Sequence, residues 1–74
     1  MSVDWNFEAR RLLREQLTQA GLDYADLASR LALRGTHLTA KALTNKINRG
    51  TFSLAFFLEC MQALNVETLS LRKN

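Results

Sequence analysis

Proline is absent from this 74-residue sequence, and glycine (three residues) and cysteine (one) are scarce. The single thiol, Cys60, excludes an intrachain disulfide and is typical of proteins in a reducing cytoplasm. One cysteine and one histidine, His37, are too few for a four-ligand zinc site. The longest apolar run, Leu54–Leu58, is far shorter than the ~20 residues of a membrane-spanning helix. We therefore expect a cytoplasmic domain with no metal, no cofactor and no membrane contact.

The small size of the chain limits its stability. A domain of this length buries only about 60% of its unfolded surface, which leaves folding marginally favourable. Such domains are commonly stabilised by disulfides, metals or oligomerisation, and the first two are excluded here. We therefore expect residues 1–74 to form a single domain that associates as a homodimer.

The spacing of apolar residues predicts helices joined by short turns, without repeats or linkers. The expected helix boundaries are about Asp4–Ala20, a start after Asp23, Thr39–Gly50, and a start after Ser53 with an end near Leu64. The tail, residues 66–71, fits a short strand or a fifth helix. The expected fold is an all-α, compact bundle of four or five short helices, with or without a short C-terminal strand. Trp5 and the phenylalanines are expected to be buried, and the expected core is Leu12, Leu13, Leu17, Leu27, Leu31, Leu43, Ile47, Phe57, Leu58, Met61 and Leu64.

Charge is distributed unevenly along the chain, although the net charge is only +3. No acidic residue occurs between Asp26 and Glu59. The same stretch carries five basic residues, namely Arg30, Arg34, Lys41, Lys46 and Arg49. This pattern favours a single positively charged face that could bind a polyanion. The alternative is a solvated surface on which the charges cluster by chance.

The third predicted helix has the composition expected of a helix that reads DNA. It has a narrow apolar face, Leu43 and Ile47, and a polar and basic opposite face. Each asparagine lowers helix stability by several tenths of a kcal/mol relative to alanine. Two asparagines in one helix therefore suggest a contact with DNA bases or with the DNA backbone. In the major groove asparagine pairs with adenine, and lysine or arginine pairs with guanine. The candidate base readers are Thr44, Asn45 and Asn48, and Lys41 could contact either a base or a phosphate. The candidate contacts to the DNA backbone are Lys46 and Arg49, together with Tyr24 and Thr51 at helix ends.

Two stretches resemble the lambda-repressor-like (Cro and XRE) family. Residues 21–28, GLDYADLA, resemble the end of its first helix and its second helix, and residues 39–50 resemble its recognition helix with the glycine that follows. The block LTNKINRGTFS, residues 43–53, followed by Phe56 and Phe57, also resembles a group of short uncharacterised bacterial helix-turn-helix proteins. This resemblance implies a helix-turn-helix domain that regulates transcription by binding double-stranded DNA. The chain departs from the common pattern where Ala32 replaces a turn glycine, and Gly35 comes later in a longer turn.

The fourth predicted helix is apolar on nearly every side. One stripe, expected to face the core, contains Leu54, Phe57, Leu58, Met61 and Leu64. We expect part of the neighbouring stripe, or the tail, to form the dimer interface; the candidate interface residues are Phe56, Cys60, Ala63, Leu69 and Leu71. The alternative function is a protein-interaction module, such as an antitoxin-like adaptor, that uses this helix to bind a partner. RNA binding would call for exposed stacking aromatics, which the sequence does not show. No nucleophile–base pair, carboxylate pair or phosphate loop is evident, so neither an enzyme nor a small-molecule substrate is expected.

Overall fold

The computed structural model describes residues 2–71, which contain four α-helices and no strand. The helices are α1 (Trp5–Gln19), α2 (Tyr24–Leu33), α3 (Ala40–Arg49) and α4 (Leu54–Ala63). This arrangement confirms the predicted all-α bundle. The tail, residues 66–71, forms neither the strand nor the fifth helix that its sequence pattern allowed. None of the helices in the described part of the chain is long and apolar enough to cross a membrane.

Every helix begins directly after a polar residue whose side chain accepts a backbone N–H. These pairs are Asp4 with Phe7, Asp23 with Asp26, Thr39 with Ala42, and Ser53 with Phe56. At α2 the cap is reciprocal, because the Asp26 carboxylate also accepts from the Asp23 N–H at 3.0 Å. The N–H that Asp26 donates lowers the pKa of the Asp23 carboxyl. Local side chains thus determine where all four helices start.

A single core lies between the four helices. Its buried apolar residues are Leu13, Leu17, Leu27, Ala28, Leu31, Leu43, Ile47, Phe56, Phe57, Cys60, Met61, Ala63 and Leu64. Two predicted core residues differ, since Leu12 is only half-buried and Leu58 is 54% exposed. Trp5 was expected to be buried but is 73% exposed, and Phe7 is exposed as well. Trp5 and Phe7 lie near the start of α1, on flanks that no other helix covers.

Both apolar stripes of α4 contribute to the core, whereas only one of them was predicted to do so. Phe56, Cys60 and Ala63 are buried within the single chain, at 8%, 0% and 7% exposure. Within the stripe that was predicted to face the core, Leu54 and Leu58 are exposed, while Phe57, Met61 and Leu64 are buried. The predicted dimer interface is therefore wrong for Phe56, Cys60 and Ala63, because α4 packs them against the rest of its own chain and leaves no free surface there.

The tail contributes unequally to the surface. Leu69 is half-buried and packs against the core, whereas Leu71 is 76% exposed. Leu71 lines two adjoining shallow grooves together with Ala9 and Leu12 of α1. Of the two tail residues predicted at a dimer interface, Leu71 is the one with a largely free side chain.

The N-terminal end of α1 abuts the C-terminal end of α3. Gly50 has a φ of +67°, and a Cβ at this position would overlap the backbone carbonyl of Asn6. The Arg10 guanidinium donates to the Asn48 carbonyl at 3.1 Å, so it satisfies an acceptor that the end of α3 leaves free. These two contacts determine where α3 lies relative to α1.

Candidate nucleic-acid interface

Helix α3 is attached to the protein by a narrow face. Leu43 and Ile47, one turn apart, are both fully buried and are the two buried residues of this helix. Lys41, Asn45 and Asn48, spaced i, i+4 and i+7, lie on the opposite side and are exposed. The helix therefore presents a continuous polar row to solvent. This row is called the α3 row below.

The ends and edges of this helix carry further cations. Arg49 is exposed in the last turn, and Thr51 is exposed just beyond it. Lys46 is half-buried, with its Nζ 4.9 Å from the centre of the Phe56 ring. This cation–π contact holds the ammonium at the edge of α3 without neutralising its charge.

Of two predicted contact residues, Thr44 has its hydroxyl hydrogen-bonded within the protein and Tyr24 has its hydroxyl buried. The Thr44 hydroxyl donates to the Ala40 carbonyl at 2.7 Å, within α3 itself. Tyr24 begins α2, but its hydroxyl is buried and has no hydrogen-bond partner among the described residues. In this conformation the Tyr24 hydroxyl is not available to a phosphate group, which corrects that part of the prediction.

The long turn between α2 and α3, residues 34–39, is fixed by hydrogen bonds at its centre. The Thr36 N–H donates to the Leu31 carbonyl at 2.9 Å. The Thr36 hydroxyl donates to the Glu59 carboxylate of α4 at 2.5 Å. These bonds join the turn to α2 and to α4, so its course is defined despite the departure at Ala32.

The positive charges of this region are not compensated by acids. Among residues 2–71, Arg11 is the basic residue within ion-pair distance of carboxylates, those of Glu8 and Glu15. Arg30, from the acid-free stretch, donates to the Ala63 carbonyl at 3.0 Å and joins α2 to α4. The exposed cations of α3, Lys41 and Arg49, keep their full charge for an external partner.

Two cations of α1 were not predicted at the interface. Arg10 contacts the C-terminal end of α3, and Arg14 lies one turn further along α1. The i, i+4 spacing of these arginines, beside the Glu8–Arg11–Glu15 ladder, was a signal that they share a flank. The contact of Arg10 with α3 depends on tertiary packing, which the spacing does not reveal.

Cys60 has no features of a reactive or ligating thiol. Burial, reinforced by the negative charge of Glu59, raises its pKa to about 12. The thiol is therefore neutral at physiological pH and behaves as a small apolar side chain. No group of three or more His, Cys, Asp or Glu residues in the part of the chain described here is arranged to hold a metal ion.

Residues 5–69 match a family described as a domain of unknown function (DUF6471). The chain belongs to this family. The matched region begins with α1, includes all four helices and ends at the half-buried Leu69. No curated protein and no solved structure matches the chain. The family description names no ligand.

Proposed function

We propose that this protein binds double-stranded DNA sequence-specifically, with α3 in the major groove, and acts as a small transcriptional regulator. The observation that carries the proposal is the α3 row, Lys41, Asn45 and Asn48, on a helix that buries only Leu43 and Ile47. A recognition helix needs this combination of one narrow packed face and a polar face free to enter the groove. The likeness to lambda-repressor-like domains supports the same function.

Each side chain of α3 has a distinct role in this proposal. Asn45 and Asn48 are suited to bidentate pairing with adenine, and Lys41 to guanine or a phosphate. Arg49, Lys46 and Thr51 contact the phosphate backbone at the edges of the helix. Such a protein regulates by occupying an operator in the cytoplasm, without a chemical step or a cofactor.

A second copy of the chain is part of the proposal. One short helix buries little DNA surface, whereas a dimer reads two half-sites ~34 Å apart. The surface we assign to the dimer is apolar and lies around the grooves that Leu71 lines; it contains Trp5, Leu54 and Leu71, each more than 70% exposed. Exposed apolar residues that adjoin one another in this way are typical of interaction sites.

Selection from a randomised duplex pool at physiological salt tests the DNA proposal. Enrichment of a palindromic motif is the expected result, since it reports both sequence preference and a two-fold symmetric dimer. Binding without enrichment, steeply dependent on salt, would reduce the function to non-specific coating. Absence of binding would contradict the proposal and favour the adaptor function, with the apolar surface around Leu71 as the partner site.

Two substitutions separate base reading from phosphate contact on the selected duplex. We expect Asn45→Ala to relax the sequence preference and to weaken cognate binding by about 1–3 kcal/mol. Arg49→Ala should weaken all sequences alike and reduce the salt slope by about one. Gln19→Ala, an exposed amide at the end of α1, is the matched control and should change neither quantity. An unchanged preference in Asn45→Ala would remove α3 as the reader.

Sedimentation at micromolar concentration tests the dimer. Leu54→Glu should shift the protein to a monomer, because it places a charge in the apolar surface. Leu33→Glu is the control, since Leu33 is 90% exposed at the end of α2 and does not line the grooves beside Leu71. A wild-type protein that sediments as a monomer would contradict this part of the proposal.

A further inference from the structure

One flank of α1 is basic and lies beside the proposed DNA-reading helix. Phe7, Arg10, Arg14 and Thr18 line a shallow groove of about 320 Å³ there, together with Arg11 and Glu15. The set Phe7, Arg10 and Arg14 is called the α1 flank below. It was not among the residues that the sequence placed at a DNA interface.

Arg10 is held in place by two contacts. Its Nη1 atom donates to the Asn48 carbonyl at 3.1 Å, and its guanidinium carbon is 5.0 Å from the centre of the Phe7 ring. Both partners are uncharged, so the full positive charge of the guanidinium remains. The first contact also links the flank directly to the C-terminal end of α3, where Asn48 belongs to the α3 row.

Arg14 extends the positive charge by one turn of α1. It is exposed and has no hydrogen bond or ion pair within residues 2–71. The carboxylate in the groove, Glu15, is bound by Arg11 at 2.8 Å, and Arg11 also contacts Glu8 at 3.1 Å. Both local carboxylates are thus bound to Arg11, and Arg10 and Arg14 form no ion pair with an acid among the described residues, so this side of α1 has three cations against two acids.

We propose that Arg10 and Arg14 contact the phosphate backbone of the same duplex that α3 reads, at the C-terminal end of that helix. This inference rests on the proposed function, and it assigns α1 a part in binding that the reading helix alone does not supply. Two cations on successive turns are about 5–6 Å apart at their Cβ atoms, and they form a row rather than an enclosing pocket. A row of this kind fits an extended polyanion such as one DNA strand.

The test uses Arg14→Gln, because Arg14 makes no contact that the fold needs. Its binding to the duplex selected with the wild-type protein is measured by fluorescence anisotropy at several salt concentrations. We expect the slope of log K against log salt to fall by about 0.9, and the affinity to fall roughly fivefold at 0.15 M salt. The sequence preference and the melting temperature should not change.

Arg34→Gln is the matched control. It removes the same charge from an exposed position after α2, in a different groove beside Ala63 and Asn65. The control should leave the salt slope close to the wild-type value. If the salt slope of Arg14→Gln equals that of Arg34→Gln, the α1 flank has no role in binding. If Asn45→Ala still relaxes the sequence preference in that case, the proposed function remains intact. A wild-type protein that binds no duplex at any salt concentration would overturn both.

Discussion

Helices α3 and α4 are alike in length and in how they start, yet they differ in what they bury. Each has ten residues and begins after a hydroxyl cap, Thr39 or Ser53. Two residues of α3 are buried, whereas five of α4 are, and these include Phe56, Phe57 and Cys60. The comparison shows that α4 mainly contributes buried side chains to the core, whereas α3 packs on α1 and α2 by a narrow face and presents polar side chains outward.

This difference separates stability from the proposed recognition. Substitutions on the exposed side of α3 should change ligand binding and leave folding unaffected, because those side chains make few contacts. Substitutions of buried α4 residues should unfold the domain, because a chain this small has little stability in reserve. Three predictions challenge this division, in order of expected effect.

The largest effect is expected at Phe57, which is buried in α4 and stacks on Phe52 with ring centres 6.3 Å apart. Phe57→Ala should destabilise the domain by about 3–5 kcal/mol, through lost burial and the cavity it leaves. Urea unfolding followed by circular dichroism measures this. The control is its neighbour Leu58, where the change to alanine should cost less than about 1 kcal/mol. Equal losses at the two positions would show that α4 is not packed as described.

A smaller loss is expected at Gly50, which ends α3. Gly50→Ala introduces a side chain at φ +67° and drives it into the Asn6 carbonyl. Gly21 is the matched control, because its φ is +71° and no atom lies within 4 Å of an added Cβ. Strain alone should cost Gly21→Ala about 1 kcal/mol, and Gly50→Ala should cost at least about twice that. Melting temperatures of the two variants decide, and similar values would show that α1 does not abut the end of α3.

The smallest effect is a pH dependence from Cys60. Its pKa is raised to about 12 in the folded protein, so between pH 7.5 and 9.5 the thiol ionises in the unfolded state alone. Stability should therefore fall over this range, by on the order of 1 kcal/mol, since the unfolded thiol titrates near pH 8.5. The Cys60→Ala variant should show a smaller fall in the free energy of unfolding over the same pH range. If the variant shows the same slope as the wild type, the thiol is not protected by burial.

The sequence predicted the helix boundaries well because capping is local. Asp4, Asp23, Thr39 and Ser53 each lie within three residues of the N–H they accept, so the pattern is visible without the fold. The residues with positive φ, among them Gly21 and Asn65, mark helix ends for the same reason.

The candidate site was predictable only where it depends on one helix. The exposure of Lys41, Asn45 and Asn48 follows from the position of Leu43 and Ile47, since helical spacing links the two faces. The hydrogen bond of the Thr44 hydroxyl within α3 and the burial of the Tyr24 hydroxyl were not predictable, because composition does not reveal whether a hydroxyl is buried or which acceptor it meets.

By itself, then, the sequence determined the helices, their ends and the polar face of α3, since these follow from contacts a few residues apart. The packing of the helices settled that Phe56, Cys60 and Ala63 are buried within the chain while Leu54 and Leu58 are exposed, because all five are apolar and helical spacing cannot rank them. It also decided that Arg10 reaches Asn48, a contact between residues 38 positions apart in the sequence. Such pairings depend on how the helices pack against one another, and no local pattern encodes that geometry.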